Sequence, residues 1–234
     1  MSIERPQLVN DEIYHVTIRG TADIEIFKNQ SDYYRMVFSV YEFNNVNPVR
    51  IRDKRKLHNV NVQRDIRGLT SDISGFSKRD LLVEILAFCF MSNHVHLLLK
   101  QIKDNGITKF MRKVGTGYAG YFNNKYKKRG HLFQGKFWAI RVKTDEQLQT
   151  TFVYIHSNPI SLIEPKWKEK GIKNTNKSIQ FLENYKWSSY LDYIDKKNFP
   201  SVINKDFILD IIGGKRGCQK FVKDWIMYNK VKVK

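Results

Sequence analysis

The segment Ile13-Tyr-His-Val-Thr-Ile-Arg19 is β-branched and aromatic, partly alternating, and closed by Gly20, a pattern that predicts a strand. Asn29 or Ser31 can cap a following helix to about Phe43, in which Tyr33, Met36, Val37, Val40 and Tyr41 recur at helical spacing. Leu81–Met91 is too uniformly apolar for a half-exposed strand, and Ser92-Asn93 supplies turn chemistry before His94–Lys100. Two adjacent buried strands, central in their sheet, are the expectation. Between Asn105 and about Lys127, the residues Ile107, Phe110, Met111, Val114, Tyr118, Tyr121 and Phe122 form a helical stripe despite Gly115, Gly117 and Gly120. Gly130 ends that helix, and His131 to Val142 reads as a strand or hairpin. Thr144 with Gln147 three residues on is a capping-box pattern and Pro159 is a stop, which together predict a short helix over 145–157.

Two stretches break the periodicity. Residues 44–79 carry Arg50, Arg52, Lys54, Arg55, Lys56, Arg64 and Arg67 with few apolar partners, the pattern of a basic, mobile insertion that orders on nucleic acid. Lys168–Lys177 reads as a polar linker, after which Ile208, Leu209, Ile211 and Ile212, then Phe221, Val222, Trp225 and Ile226, suit two helices. The element order predicts an α+β fold, a ferredoxin-like antiparallel sheet with helices on one face and a small C-terminal helical appendage. The corresponding division is a catalytic domain over 1–165 and a mainly helical extension over 166–234.

Charge narrows the partners. The 234 residues hold 41 Lys+Arg against 23 Asp+Glu, a formal charge of +18 that points to a polyanion. No apolar run approaches the ~18–20 residues of a membrane helix, and the N-terminus lacks a secretory pattern. The two cysteines, Cys89 and Cys218, form neither a disulfide framework nor a zinc motif, which fits a reducing cytoplasm. Nucleic acid is the expected anion, with the protein nucleoid-associated.

The candidate chemistry lies on two elements. On a strand, His94 and His96 point the same way with Cα atoms about 7 Å apart, while Val95 and Leu97 enter the opposite layer. On the 145–157 helix, Leu148, Phe152 and Ile155 form a buried stripe, and Gln147, Thr151, Tyr154 and Asn158 align on another face. A solvated face with a snorkelling tyrosine would explain that second alignment. If the face instead meets the sheet at His94 and His96, two imidazoles and an amide oxygen make a facial N/O set suited to Mg²⁺ or Mn²⁺. A tyrosine beside such a metal implies phosphodiester transesterification. An ordinary phenol is ionised to only about one part in a thousand at neutral pH, so the site must compensate by polarising phosphorus and orienting the attack.

Met91-Ser-Asn-His-Val-His-Leu-Leu-Leu99 resembles the His-hydrophobic-His motif of the HUH-superfamily single-tyrosine transposases, and Tyr154-Ile-His-Ser-Asn-Pro159 resembles their nucleophile helix. The resemblance is particularly to the REP-associated tyrosine transposase group. Tyr14–Gly20, Tyr121–Tyr126, Gly130–Phe137 and Tyr185–Tyr190 extend the ordered match over most of 13–190. The resemblance implies that His94, His96 and Asn158 bind the divalent metal and that Tyr154 is the nucleophile. It also implies a substrate of hairpin-bearing single-stranded DNA, cut to a 5′-phosphotyrosine and a free 3′-hydroxyl and then rejoined. Neither 44–79 nor the C-terminal region takes a role from it.

Arg19, Lys125, Lys127, Lys128, Arg129, Lys136 and Arg141, interleaved with Tyr126, Phe133, Phe137 and Trp138, make a composition that contacts phosphates and stacks bases. The reading is a transposase, monomeric or homodimeric. Two rivals stand beside it: a catalytically silent hairpin-binding protein, and a metal-dependent nuclease in which His94 and His96 activate water.

Overall fold

The computed structural model describes residues 6–49 and 79–231. Four strands form the sheet: β1 (Ile13–Arg19), β2 (Val83–Met91), β3 (His94–Gln101) and β4 (Trp138–Val142), in the order β2-β3-β1-β4. Every pairing is antiparallel. The fold is the expected α+β.

Strand alternation divides the side chains between two cores. Tyr14, Val16, Ile18, Val95, Leu97 and Leu99 enter the first core, packed by helices α1 (Gln30–Glu42) and α2 (Gly106–Tyr126) through Met36, Val40, Phe110 and Val114. Asn29 caps α1 in a reciprocal box with Asp32. The glycines of α2 have a packing use: a Cβ on Gly117 would sit 2.3 Å from the Phe43 ring, so its absence lets helix and ring touch.

The second core corrects the single covered face. Ala87, Cys89, Met91 and Leu98 pack against α3 (Asp145–Ser157) and against Ile208, Cys218, Val222 and Ile226 near the C-terminus. Helices therefore cover both faces, because β2 is apolar on both and β3 adds Leu98 to the second. Leu182 of α5 (Thr175–Leu182) and Tyr190, Leu191 and Tyr193 of α6 (Tyr190–Tyr193) join this core, with Ile208 on α7 (Asp206–Ile212) and the other three on α8 (Gly214–Tyr228), so the C-terminal helices form a layer of the fold. The expected linker is only partly irregular. A short helix, α4 (Trp167–Lys170), interrupts it, anchored by the buried Trp167.

β3 is central, whereas β2 is an edge of the sheet. Its apolar sequence is explained by what covers that edge: Phe90 N donates to Trp187 O (2.9 Å), Ser189 N to Phe88 O (3.0 Å) and Asn204 N to Ile85 O (2.8 Å). The expected basic insertion falls largely on 50–78, outside the described residues.

Candidate functional site

The register explains how the histidines gather. Thr17 pairs with His96 and Arg19 with His94, so His15, Thr17 and Arg19 of β1 share the face of His94 and His96 on β3. His15 stands opposite Leu98, diagonal to His96. Its Nε2 lies 2.9 Å from His96 Nδ1, and the two rings stack with centroids 5.1 Å apart. His94 and His96 meet edge to face at 4.7 Å.

α3 brings Tyr154 onto this cluster. Thr144 Oγ1 accepts from Gln147 N (3.2 Å), and the Gln147 side chain accepts from Lys143 N, which fixes the start of the helix. At its other end the fully buried His156 meets Ser189 Oγ at 2.8 Å. Ser189 Oγ also accepts from Phe88 N (2.9 Å), so one hydroxyl ties the helix to β2. The Tyr154 ring lies edge-on to His96 at 5.7 Å and to His15 at 5.8 Å. Asn158, one turn on and buried, donates through Nδ2 to Tyr154 O (2.8 Å). Lys168 of α4 reaches over both: its Nζ is 3.4 Å from the Tyr154 phenol oxygen and 3.4 Å from Asn158 Oδ1.

Burial keeps the imidazoles neutral. It pushes His15 down to about 4, and His94 also to about 4 with the positive charges of Arg19 and Lys168 adding to the effect. Burial holds His96 well below the ordinary value, helped by His94 and His15. A neutral imidazole carries one lone pair, and hydrogen bonding decides which nitrogen holds it. Asn93 Oδ1 can only accept, so the 2.6 Å contact makes His94 Nδ1 the donor and leaves the Nε2 lone pair free. His96 Nε2 is a buried nitrogen with no hydrogen-bond partner among the described residues. His96 Nδ1 faces His15 Nε2, so Nε2 is the ring nitrogen of His96 left without a partner among the described residues. Two neutral imidazoles on one face of the sheet suit a divalent cation. Among the described residues no group of three or more His, Cys, Asp or Glu is placed to hold a metal ion.

The expected DNA contacts divide. Lys125 is committed inside the fold, its Nζ 2.6 Å from the fully buried Asp32. Arg141 is paired to Glu12 through two nitrogens, and Arg19 to Asp23 at 2.9 Å. Lys127, Arg129 and Lys136 are exposed, and Lys128 bonds the His131 carbonyl. Gln134 N donates to Arg19 O and Thr21 N to Leu132 O, which sets the 128–136 loop at the His94 end of the sheet. Trp138 and Ile140, 51% and 65% exposed, stand opposite Thr17 and His15 on the face of the histidines.

Sequence reading missed His15, Lys168 and the structural part of His156. The parity of β1 was the available signal for His15. Lys168 carries no local signal, because a lysine in a polar run is unremarkable until the chain folds.

Residues 49–158 match the model of the family described as "Transposase IS200 like". That stretch is similar to the IS200-like transposases. The matched residues carry His94, His96, Tyr154 and Asn158, so the likeness read from the motifs holds. A solved REP-associated tyrosine transposase bound to a REP hairpin is similar at 14% identity, covering 88% of this chain and 93% of that one, with a TM-score of 0.49. A bacterial tRNA(His) guanylyltransferase-like protein in complex with GTP is similar at 10% identity, over 69% and 70% of the two chains, with a TM-score of 0.37. The tRNA(His) guanylyltransferase of Saccharomyces cerevisiae gives 10%, 78% and 76%, and 0.36. No curated protein matches the chain.

Proposed function

We propose that the protein cuts and rejoins single-stranded DNA at hairpin-bearing sites, with Tyr154 as nucleophile and a 5′-phosphotyrosine as intermediate. One observation carries the reading: across the gap between α3 and β3 the Tyr154 ring meets the buried His96 imidazole edge-on, and His96 in turn meets His94. A tyrosine packed for stability alone would need no such neighbours.

In the reaction the Tyr154 oxygen bonds to phosphorus as the bond from phosphorus to the 3′-oxygen breaks. The phenolic proton goes to solvent and the departing 3′-oxygen takes one up. The covalent link conserves the phosphodiester, so a 3′-hydroxyl can reverse the step without ATP. His94 and His96 would hold a divalent metal, Mg²⁺ or Mn²⁺, with Asn158 as third protein ligand once Lys168 releases its oxygen. Such an ion supplies Lewis-acid polarisation of the phosphate and orients the attack. His15 keeps the ring of His96 in the orientation and tautomer that the role requires. The cationic 128–136 loop and the Trp138–Ile140 surface flank the site and are the natural seats for phosphates and unpaired bases. Binding then weakens steeply with salt, with a logarithmic slope of about −0.7 for each phosphate contacted.

The test is a denaturing gel of the protein incubated with Mg²⁺ or Mn²⁺ and labelled single-stranded hairpins. A covalent protein–DNA band that disappears in Tyr154→Phe, with hairpin affinity kept within a few fold, is the expected result. Cleavage that persists in Tyr154→Phe without an adduct would move the assignment to a water-using nuclease. Tight binding with no cleavage in either metal would make the protein a silent hairpin binder.

A further inference from the structure

The cation nearest the tyrosine comes from outside the residues that match the transposase family. Lys168 lies on α4, and the C-terminal layer of the fold puts it there. Trp167, 5% exposed, packs edge-on to Trp225 of α8 at 5.1 Å. Gly171 N donates to Trp167 O (2.8 Å) and closes the short helix. The next residue is then clamped by the end of the chain, Ile172 N donating to Asn229 O (2.7 Å) and Val231 N to Ile172 O (3.1 Å). The backbone on either side of Lys168 is thus held while its side chain reaches across to α3.

The ammonium sits 4.9 Å above the Tyr154 ring centroid, besides its contacts to the phenol oxygen and to Asn158 Oδ1. Its partners are neutral. Lys125, Arg19 and Arg141 each hold a carboxylate, whereas no carboxylate lies within ion-pair distance of Lys168 among the described residues. A charge held beside a nucleophile with no counter-ion of its own is suited to a substrate anion.

We propose that Lys168 is a catalytic residue of the strand-transfer step, binding a non-bridging oxygen of the phosphate that Tyr154 attacks. The inference rests on the reading of Tyr154 as nucleophile. As the oxygen–phosphorus bond forms, charge grows on the non-bridging oxygens. A preorganised cation stabilises that charge more than it stabilises the ground-state diester. In the bound complex the ammonium moves from Asn158 Oδ1 to phosphate, keeping its contact with the tyrosine oxygen. The bonds made and broken are those of the transesterification itself, and Lys168 stays protonated throughout. The C-terminal layer thereby acquires a function: it adds to the site a cation that, unlike Arg19 of the sheet, holds no carboxylate among the described residues.

The experiment is single-turnover adduct formation on a hairpin cut by the wild type, with Lys168→Met and Lys168→Arg compared. Lys168→Met is expected to slow adduct formation about 10²–10³-fold, the usual cost of one preorganised donor to a developing oxyanion. Hairpin affinity stays within a few fold, and Lys168→Arg recovers much of the rate. Resealing of the isolated adduct should slow in parallel, since both directions share one transition state. Lys168 is exposed, so the fold tolerates the change, and thermal unfolding checks it. A Lys168→Met rate within twofold of wild type overturns the inference and leaves the proposed function standing. A slower rate fully accounted for by weaker binding or lost stability also overturns it. Absence of any wild-type adduct removes the proposed function and the inference together.

Discussion

Lys125→Met separates two meanings of a basic residue. The sequence offers Lys125 as a DNA contact. In the fold its ammonium bonds Asp32 Oδ1 (2.6 Å), Ser31 Oγ (2.7 Å), the Tyr121 hydroxyl (3.0 Å) and Asn29 Oδ1 (3.2 Å). Asp32 is fully buried at the start of α1, and it also accepts from Lys28 N (2.9 Å), Asn29 N (3.3 Å), Tyr121 (2.9 Å) and Tyr126 (2.7 Å). Burial pushes this carboxyl up, yet the hydrogen bonds from Lys125, Tyr126, the Lys28 backbone and Tyr121 outweigh it and hold the group below its ordinary range. Leaving a buried charge with no partner costs about 3–5 kcal/mol, and a single hydrogen bond to a charged group contributes about 1.5–3 kcal/mol. Because Asp32 keeps four donors in the variant, the lower range applies, and we expect a loss of about 2 kcal/mol. For a chain of this size that lowers the thermal midpoint by roughly 4–8 °C. The sign with pH follows: a carboxylate depressed in the folded state stabilises above its unfolded pKa, and that contribution is lost as pH falls. The gap between variant and wild type should therefore be widest near neutrality and narrow in acid. Differential scanning calorimetry across pH reads the stability, and single-strand binding against salt reads the contact. An unchanged midpoint, with a salt slope shallower by about 0.7, would refute the structural assignment and return Lys125 to the DNA surface.

Two further predictions come from the histidines. His15→Phe keeps the ring against His96 and removes its hydrogen bond, so the metal concentration for half-maximal adduct formation should rise about 10–100-fold, with the rate recovered at excess metal; a titration superimposable on wild type would contradict the positioning role. His156 is held by burial at about 3, below its unfolded value, so the unfolded chain binds the extra proton and stability falls as pH drops from about 6.5 toward 3. His156→Phe should flatten that decline by up to ~1.4 kcal/mol per pH unit, while Ser189 Oγ keeps its bonds to Phe88; an equal slope in the variant would count against it.

Much of this protein is decided by local pattern. The period of two in His94-Val-His96-Leu fixes which layer each side chain enters, and the helical period of residues 145–157 aligns Tyr154 with Asn158 whatever they face. Those rules act over a few residues, so the strands, α1, α2, α3 and the four motif residues are legible from the chain. What the motif residues meet is another matter. His15 and His96 are 81 residues apart and touch only through the β1–β3 register; His156 and Ser189 are 33 apart and touch only because β2 is covered at its edge. The apolar β2 reads as a central strand because a sequence reports burial and not what does the burying. Lys125 and Lys168 are alike in composition, both lysines in basic surroundings, and tertiary contacts alone make one a partner of buried Asp32 and set the other over Tyr154 with no counter-ion among the described residues. Periodicity specifies the face a residue shows, and only the packing of distant segments specifies the charge that waits there.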